Sequence, residues 1–291
     1  MVIRPSAMLR LARPRQWVKN AFVVAPLFFS PWAVNADNVA STMIAVVVFC
    51  LLSSAVYVVN DHFDREADRL HPEKRFRPLA SGEVTPGQGI ALAGFLLALA
   101  AALSAALLPA KFALFAGGYF ILNLLYSMRL KQVAILDVLI VAAGFVLRID
   151  AGAMVIDVVP SVWISLTTGL LALFIALAKR RDDLVKTMSS THRASLAGYN
   201  LRFVDACLAV TLGALLVCYL MYTTDSETIR RFGTDQLWLT SVFVIAGVMR
   251  YLQITLVEER SGSPTDIVVT DRFLIVAVVG WAATFAFLIY P

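Results

Sequence analysis

Residues 39–59 read VASTMIAVVVFCLLSSAVYVV, and residues 60–69 directly behind them read NDHFDREADR. The first string carries no charge, is apolar on every face of a helix, and has the roughly 20-residue length that crosses a bilayer. Eight further stretches share its character, at about 18–34, 87–108, 112–128, 133–154, 160–178, 203–222, 236–256 and 273–290. A transmembrane barrel would need short strands of alternating polarity, whereas these runs are long and rich in Ala, Leu and Val. The expected fold is all-α: a polytopic membrane helical bundle of about nine transmembrane helices around a central cavity.

Composition agrees. Of 291 residues, 59% are hydrophobic and only 15% charged, and mean hydropathy is +0.77. Soluble domains are about 45–50% apolar and about 25% charged, so this chain lacks the polar surface to face water on all sides. A soluble globular fold, disorder, collagen and coiled coil are excluded. Cys50, Cys207 and Cys218 lie in apolar runs and imply no disulfide framework. No repeat, low-complexity tract or Gly/Ser linker divides the chain, so residues 1–291 read as a single domain. The basic start followed by Ala21–Trp32 superficially resembles a signal peptide. Pro26 and Pro31 interrupt that run and no A-x-A site follows, so it reads as a retained span.

The basic residues fall on one side. The N-terminal segment holds Arg4, Arg10, Arg13, Arg15 and Lys19, and the connection after residue 59 holds Arg65, Arg69, Lys74, Arg75 and Arg77. Arg129 and Lys131 follow the fourth stretch, and Lys179, Arg180, Arg181, Lys186, Arg193 and Arg202 follow the sixth. The opposite connections offer Lys111, Arg230 and Arg231. By the positive-inside rule the N-terminus is cytoplasmic, in an inner (plasma) membrane, and an odd number of spans places Pro291 outside. The net charge of +5 then describes one basic membrane face, suited to anionic headgroups or phosphorylated substrates and not to nucleic acid.

Two connections on that side are long, 60–86 and 179–202, and are expected to meet across the cytoplasmic mouth of the bundle. At about 100° per residue, Asp61, Asp64 and Asp68 fall within about 60° of arc on one helix face. Three carboxylates so placed repel one another unless a shared cation intervenes. Mg²⁺, which takes a few carboxylates together with phosphate oxygens, would do so, with Asn60 one turn back as an amide ligand or an orienter of the carboxylates. The competing reading is a solvated helix end neutralised by Arg65 and Arg69. Residues 71–82, HPEKRFRPLASG, then set Lys74, Arg75 and Arg77 between two prolines, where no regular helix can form. Metal-binding acids beside a fixed basic loop make a diphosphate site, Arg supplying forked contacts.

This N-D-x-x-D-x-x-x-D run with its R-P-L-A-S-G loop resembles the first aspartate-rich motif of the UbiA superfamily of intramembrane prenyltransferases. Residues 13–20, RPRQWVKN, residues 179–184, KRRDDL, and the G-F-x-L-R of Gly144–Arg148 resemble its decaprenyl-phosphate phosphoribosyltransferase branch. The likeness runs from about residue 10 to Asp271-Arg272. Ordinary members carry a second D-x-x-x-D after the sixth helix. Here Asp182-Asp183-Leu184-Val185-Lys186 puts a lysine where the second aspartate would fall.

The resemblance implies a Mg²⁺-dependent transfer of 5-phosphoribose from phosphoribosyl diphosphate to a polyprenyl (decaprenyl) phosphate, with release of pyrophosphate, for lipid-linked arabinofuranose. Asp61, Asp64 and Asp68 would serve catalysis and, with Asn60, hold the metal. Lys74, Arg75, Arg77 and Asp183 would bind the donor, and Lys179, Arg180 or Lys186 its extra 5-phosphate, against the alternative of a snorkelling helix end. Lys19 beside Trp17 suits the lipid phosphate or a plain interfacial anchor, and Tyr126 suits the donor pocket or an interfacial aromatic. The acceptor phosphate is already anionic, so no strong base is required of His62, His71 or His192. Arg148 lies about 22 Å beyond Val133 along a helix and is placed towards the outer boundary. Asp137, Asp205 and Arg250 either line the site or snorkel, and the loop 258–271 has no assigned role. Whether copies assemble as a homo-oligomer stays open. The rivals are a conventional prenyltransferase acting on an aromatic acceptor and a lipid or solute transporter.

Overall fold

The computed structural model describes residues 5–188 and 198–290. Arg4, His192, Arg193 and Pro291, invoked above, lie outside them. The described chain is helical throughout: α1 (Pro5–Ala12), α2 (Ala25–Phe28), α3 (Ala36–Phe63), α4 (Arg65–Arg69), α5 (Pro86–Leu107), α6 (Ala110–Met128), α7 (Leu136–Val155), α8 (Val162–Met188), α9 (Leu201–Thr224), α10 (Ser226–Phe232), α11 (Ser241–Leu256), α12 (Pro264–Thr270) and α13 (Arg272–Ile289), with short 3₁₀ turns between. Among the described residues, eight segments are long and apolar enough to cross a membrane, making this a multi-pass membrane protein. The stretch at 18–34 is the exception to the expected nine. It folds as a 3₁₀ turn over Pro14–Val23, then α2, then a turn at Pro31–Ala33. Pro26 and Pro31 each remove a backbone donor that a continuous helix would need.

Two helices outrun the bilayer. The 28 residues of α3 and the 27 of α8 extend about 42 and 40 Å at 1.5 Å per residue, against a hydrocarbon core of about 30 Å. The surplus turns are the polar ones. Thus Lys179–Lys186, expected in a loop, continue α8. No Gly or Pro interrupts them, and Arg180–Asp183 and Asp182–Lys186 pair at helical spacing.

The chain divides into two compact units, residues 1–131 with 146–160, and residues 132–145 with 161–291. The first is built on α3. Its core gathers Phe49, Phe112 and Tyr119, with Phe49 meeting Phe112 edge-on at 5.9 Å. A second cluster in this unit, Ala7, Leu11, Val58, Leu79, Val84 and Ala93, fastens α1 and the 78–84 turn to α3 and α5. The other unit packs α8, α9, α11 and α13 around Phe174, Leu208, Tyr251 and Ile254.

Candidate active site

In the first unit, helical hydrogen bonding runs through the α3–α4 junction. The Asp64 amide donates to Asn60 O at 2.9 Å and the Asp68 amide to Asp64 O at 2.8 Å. The carboxylates therefore keep their helical spacing. Their counter-ions differ from those expected. Arg65 and Arg69 bind Glu66 instead, while Arg69 Nε also donates to Ala80 O at 3.2 Å and ties the loop down. Asp61, only 2% exposed, accepts from Arg13 Nη2 at 2.6 Å and Arg77 Nη1 at 3.1 Å. The same Arg77 nitrogen reaches Asp68 Oδ2 at 2.7 Å. Asp64 pairs with Lys131, which also donates to Asn60 Oδ1 at 3.3 Å, and Asn60 Nδ2 donates to Asp64 Oδ2 at 3.0 Å.

Apolar anchors place these cations. Leu11 and Leu79 are almost fully buried; Arg13 lies two residues after the first and Arg77 two residues before the second. Arg13 sits at the end of α1 with φ +53°, a left-handed conformation that costs a side-chain-bearing residue of order 1 kcal/mol or more. It turns the chain into Pro14, and the guanidinium covers the Tyr57 ring at 5.0 Å while it meets Asp61. His71 Nδ1 accepts from the Glu73 and Lys74 amides, a turn-capping use of that ring. Arg75 lies over Phe76 and is exposed. Tyr126 is half-buried near the end of α6.

Among the described residues no three acidic, histidine or cysteine side chains close on a common metal position. Each carboxylate holds a protein cation. The donor set still fits Mg²⁺, because Asn60 Oδ1 and Asp64 Oδ1 already converge on the Lys131 ammonium, and carboxylate with amide oxygen is the hard set this ion takes.

Deeper in the same unit, Arg148 of α7 is 5% exposed and Asn20 fully buried. Arg148 Nε donates to Asn20 Oδ1 at 3.0 Å and Nη2 to the Tyr119 hydroxyl at 2.8 Å, with the guanidinium 4.5 Å over that ring. Arg148 is thus packed in the interior of the unit. Gly152, one turn on, makes this approach available: a Cβ there would lie 2.1 Å from Val23 O. Trp17 Nε1 donates to Ser54 Oγ at 3.0 Å and fixes the same segment on α3. Lys19, outside the eight spanning helices, has its ammonium pushed down to about 8 by desolvation and then by the Arg148 and Arg13 charges.

In the second unit, Arg180 Nε donates to Asp137 Oδ2 at 2.6 Å and Nη1 to Asp183 Oδ2 at 3.2 Å. The Tyr199 hydroxyl donates to Asp137 Oδ1 at 2.6 Å and accepts from the Ile135 amide at 2.7 Å. Burial, and then the Asp137 hydrogen bond, raise the Tyr199 phenol above its ordinary range. Buried Asp182 meets Lys186 at 2.8 Å, and Lys179 is exposed. Arg181 binds Asp205 at 2.8 Å and Thr255 O at 2.9 Å; Arg250 binds Asp271 and Glu258. The 258–271 loop is therefore an ion-paired strap: Ser261 Oγ donates to Ala178 O at 2.8 Å, and Gly262 lies against Asp182. Arg13, Lys131, Asn20, Tyr119 and Tyr199 are the contacts that sequence spacing does not disclose, whereas Asp137, which the sequence singles out, pairs with Arg180 and Tyr199.

The chain matches the model of the UbiA prenyltransferase family over residues 21–197. It is 33% identical to a decaprenyl-phosphate phosphoribosyltransferase of Mycolicibacterium smegmatis, covering 98% of this chain and 93% of that one. A protein of the same description from Corynebacterium glutamicum is 30% identical, covering 97% and 86%. Among solved structures, a UbiA homolog from Archaeoglobus fulgidus, bound to GPP and Mg²⁺, superposes with a TM-score of 0.73 at 22% identity, covering 97% of this chain and 99% of that one. A family pattern spanning more than half of the sequence, with relatives 30% or more identical over nearly its whole length, settles the kinship: the chain belongs to the UbiA prenyltransferase family.

Proposed function

We propose that the protein transfers 5-phosphoribose from phosphoribosyl diphosphate to the phosphate of a polyprenyl lipid such as decaprenyl phosphate. The bond from ribose C1 to the diphosphate oxygen breaks, pyrophosphate leaves with its electron pair, and a C1–O bond forms to the acceptor phosphate. The observation that carries this reading is Lys186. It stands where a second aspartate of D-x-x-x-D would fall and is itself held by Asp182, a cation in the place where a second metal site needs an acid. The names of the near-full-length relatives support the same donor and acceptor. On this reading residues 1–291 act as one transferase domain.

Asp61, Asp64 and Asp68, with Asn60, would hold Mg²⁺, which when bound neutralises the diphosphate and stabilises charge on the leaving group. Arg77 is fixed between Asp61 and Asp68, ready to orient a diphosphate once the carboxylates shift to the metal, and Lys74 and Arg75 extend that basic edge. Arg180, clamped by Asp137 and Asp183, presents an oriented guanidinium; with Lys179 and Lys186 it suits the donor's 5-phosphate. Tyr126 would border the donor. The acceptor is already an anion, so no residue needs to remove a proton. The positive-inside asymmetry supports an inner-membrane protein whose N-terminus and site face the cytoplasm. A lipid acceptor explains the setting, since each CH₂ kept out of water is worth about 0.8 kcal/mol.

The test is to incubate purified protein with ribose-labelled phosphoribosyl diphosphate, decaprenyl phosphate and Mg²⁺ and to count label in the organic phase. Label that requires both lipid and metal is the expected result. Folded protein that leaves label in the aqueous phase, yet prenylates an aromatic acceptor from a prenyl diphosphate, would overturn it.

A further inference from the structure

Within the first unit the acids and bases of the α3–α4 junction are matched, but Lys19 is not. Among the described residues its ammonium has no carboxylate and no hydrogen-bond acceptor, and the charges acting on it are both positive, Arg148 and Arg13. Arg13 is engaged by Asp61. Arg148, next to Lys19 through its bond to Asn20, spends two donors on neutral groups, the Asn20 amide and the Tyr119 hydroxyl.

A half-buried cation with like charges beside it, held in place by a rigid segment, is what an anion site looks like before its ligand arrives. The rigidity is specific. Gly152 against Val23 O, Trp17 on Ser54, and Asn20 on Arg148 fix residues 17–23 at three points around Lys19.

We propose that Lys19 and the adjacent Arg148 form a seat for a phosphomonoester, and that its occupant is the head of the lipid acceptor. This deepens the transferase reading and rests on it for the identity of the lipid. Two observations favour the lipid over the donor's 5-phosphate. Trp17 and Val18, flanking Lys19, expose large apolar surface, which suits an approach from the hydrocarbon. Arg148 lies 12 residues into α7, about 18 Å along the helix from Leu136, a depth a membrane-borne phosphate reaches more readily than a soluble sugar. Arg13, which touches Asp61 and acts on Lys19, would couple this seat to the aspartate run.

The test measures binding, not turnover, so that it stands apart from the transferase assay. Full-length protein in detergent is titrated with farnesyl monophosphate, with farnesol as control, and followed by thermal shift; phosphoribosyl diphosphate with Mg²⁺ is titrated separately. The expected result is saturable stabilisation by farnesyl monophosphate and none by farnesol. Lys19→Met should weaken that affinity about 10- to 150-fold, as expected for one charge-assisted contact. Lys19→Arg should largely retain it, and the response to the sugar donor should stay at the wild-type value. Lys19→Met should also unfold no earlier than wild type, because it removes an uncompensated charge; a merely structural lysine would lower the midpoint. Unchanged farnesyl monophosphate affinity in Lys19→Met overturns the seat. A loss confined to the sugar donor overturns the lipid assignment.

Discussion

Two regions of this protein cluster acids with bases, the α3–α4 junction and the end of α8, and they are assembled in different ways. At the α3–α4 junction the aspartates find their cations outside the helix: Arg13 lies 48 residues from Asp61, Lys131 lies 67 from Asp64, and Arg77, in the following loop, serves Asp61 and Asp68. On α8 the pairs begin locally, Arg180 with Asp183 three residues on and Lys186 with Asp182 four residues back. Arg180 is also tied outward to Asp137, and its neighbour Arg181 to Asp205. The junction is thus a product of tertiary packing and α8 mostly of helical periodicity. A junction built this way should respond strongly when one partner is removed, because several elements share it. The α8 pairs should yield in smaller steps.

The sharpest way to break this contrast is Asp61→Ala. It strands the Arg13 and Arg77 guanidiniums beside a buried site, and removing one partner of such a cluster costs about 3–5 kcal/mol. The partly exposed arginines reduce that, so about 3 kcal/mol is expected, read as a lowered unfolding midpoint in detergent together with loss of turnover. A midpoint equal to that of wild type would show that Arg13 and Arg77 are not held by this carboxylate.

Tyr199→Phe probes the second region and should cost less, about 1–3 kcal/mol, by leaving Asp137 Oδ1 and the Ile135 amide without the hydroxyl they share. Its pH signature is distinctive. The phenol's folded value is raised, so its contribution is complete below the ordinary tyrosine value near 10 and declines as pH climbs towards the folded value. Wild type should lose stability above about pH 10, and Tyr199→Phe should lack that part of the decline.

Much of this was legible in the sequence, for reasons that differ by region. The spans follow from apolar length alone, and the aspartate spacing from helical period. The end of α8 is harder, since polar residues replace apolar ones at Lys179 and the apolar period stops there. The readable signal is that residues 171–188 contain neither Gly nor Pro and place opposite charges at i, i+3 and i, i+4. Arg13 and Lys131 carry no such mark. Their roles depend on a left-handed turn after Leu11 and on where α6 ends. Arg148 does stand out, as an arginine within an apolar run, but its partner Asn20 is 128 residues away, and no local pattern encodes that pairing.

Gly262→Ala is expected to cost about 1 kcal/mol. Its Cβ would fall 2.3 Å from Asp182 Oδ2 and 2.9 Å from Lys186 Nζ. Lys186 is mobile enough to withdraw, whereas buried Asp182 is not. A rise in the donor KM with kcat little changed would show that the strap sets the position of Lys186. An unaltered KM would leave the strap a purely structural element.

The smallest stability effect is expected at Asp64, the most exposed of the three junction aspartates. Lys131 and Asp64 have side chains 19% and 30% exposed, and such pairs contribute about 0–1 kcal/mol. Asn60 also keeps its own hydrogen bond to Asp64, so Lys131→Ala should leave the unfolding midpoint within a degree or two of wild type. The effect should appear in metal dependence instead. If the ammonium holds the oxygens that Mg²⁺ would take, its removal should lower the Mg²⁺ concentration for half-maximal turnover severalfold. An Mg²⁺ requirement that stays fixed while the midpoint falls as far as in Asp61→Ala would mean that Lys131 is structural, and that the junction's pairs are equivalent after all.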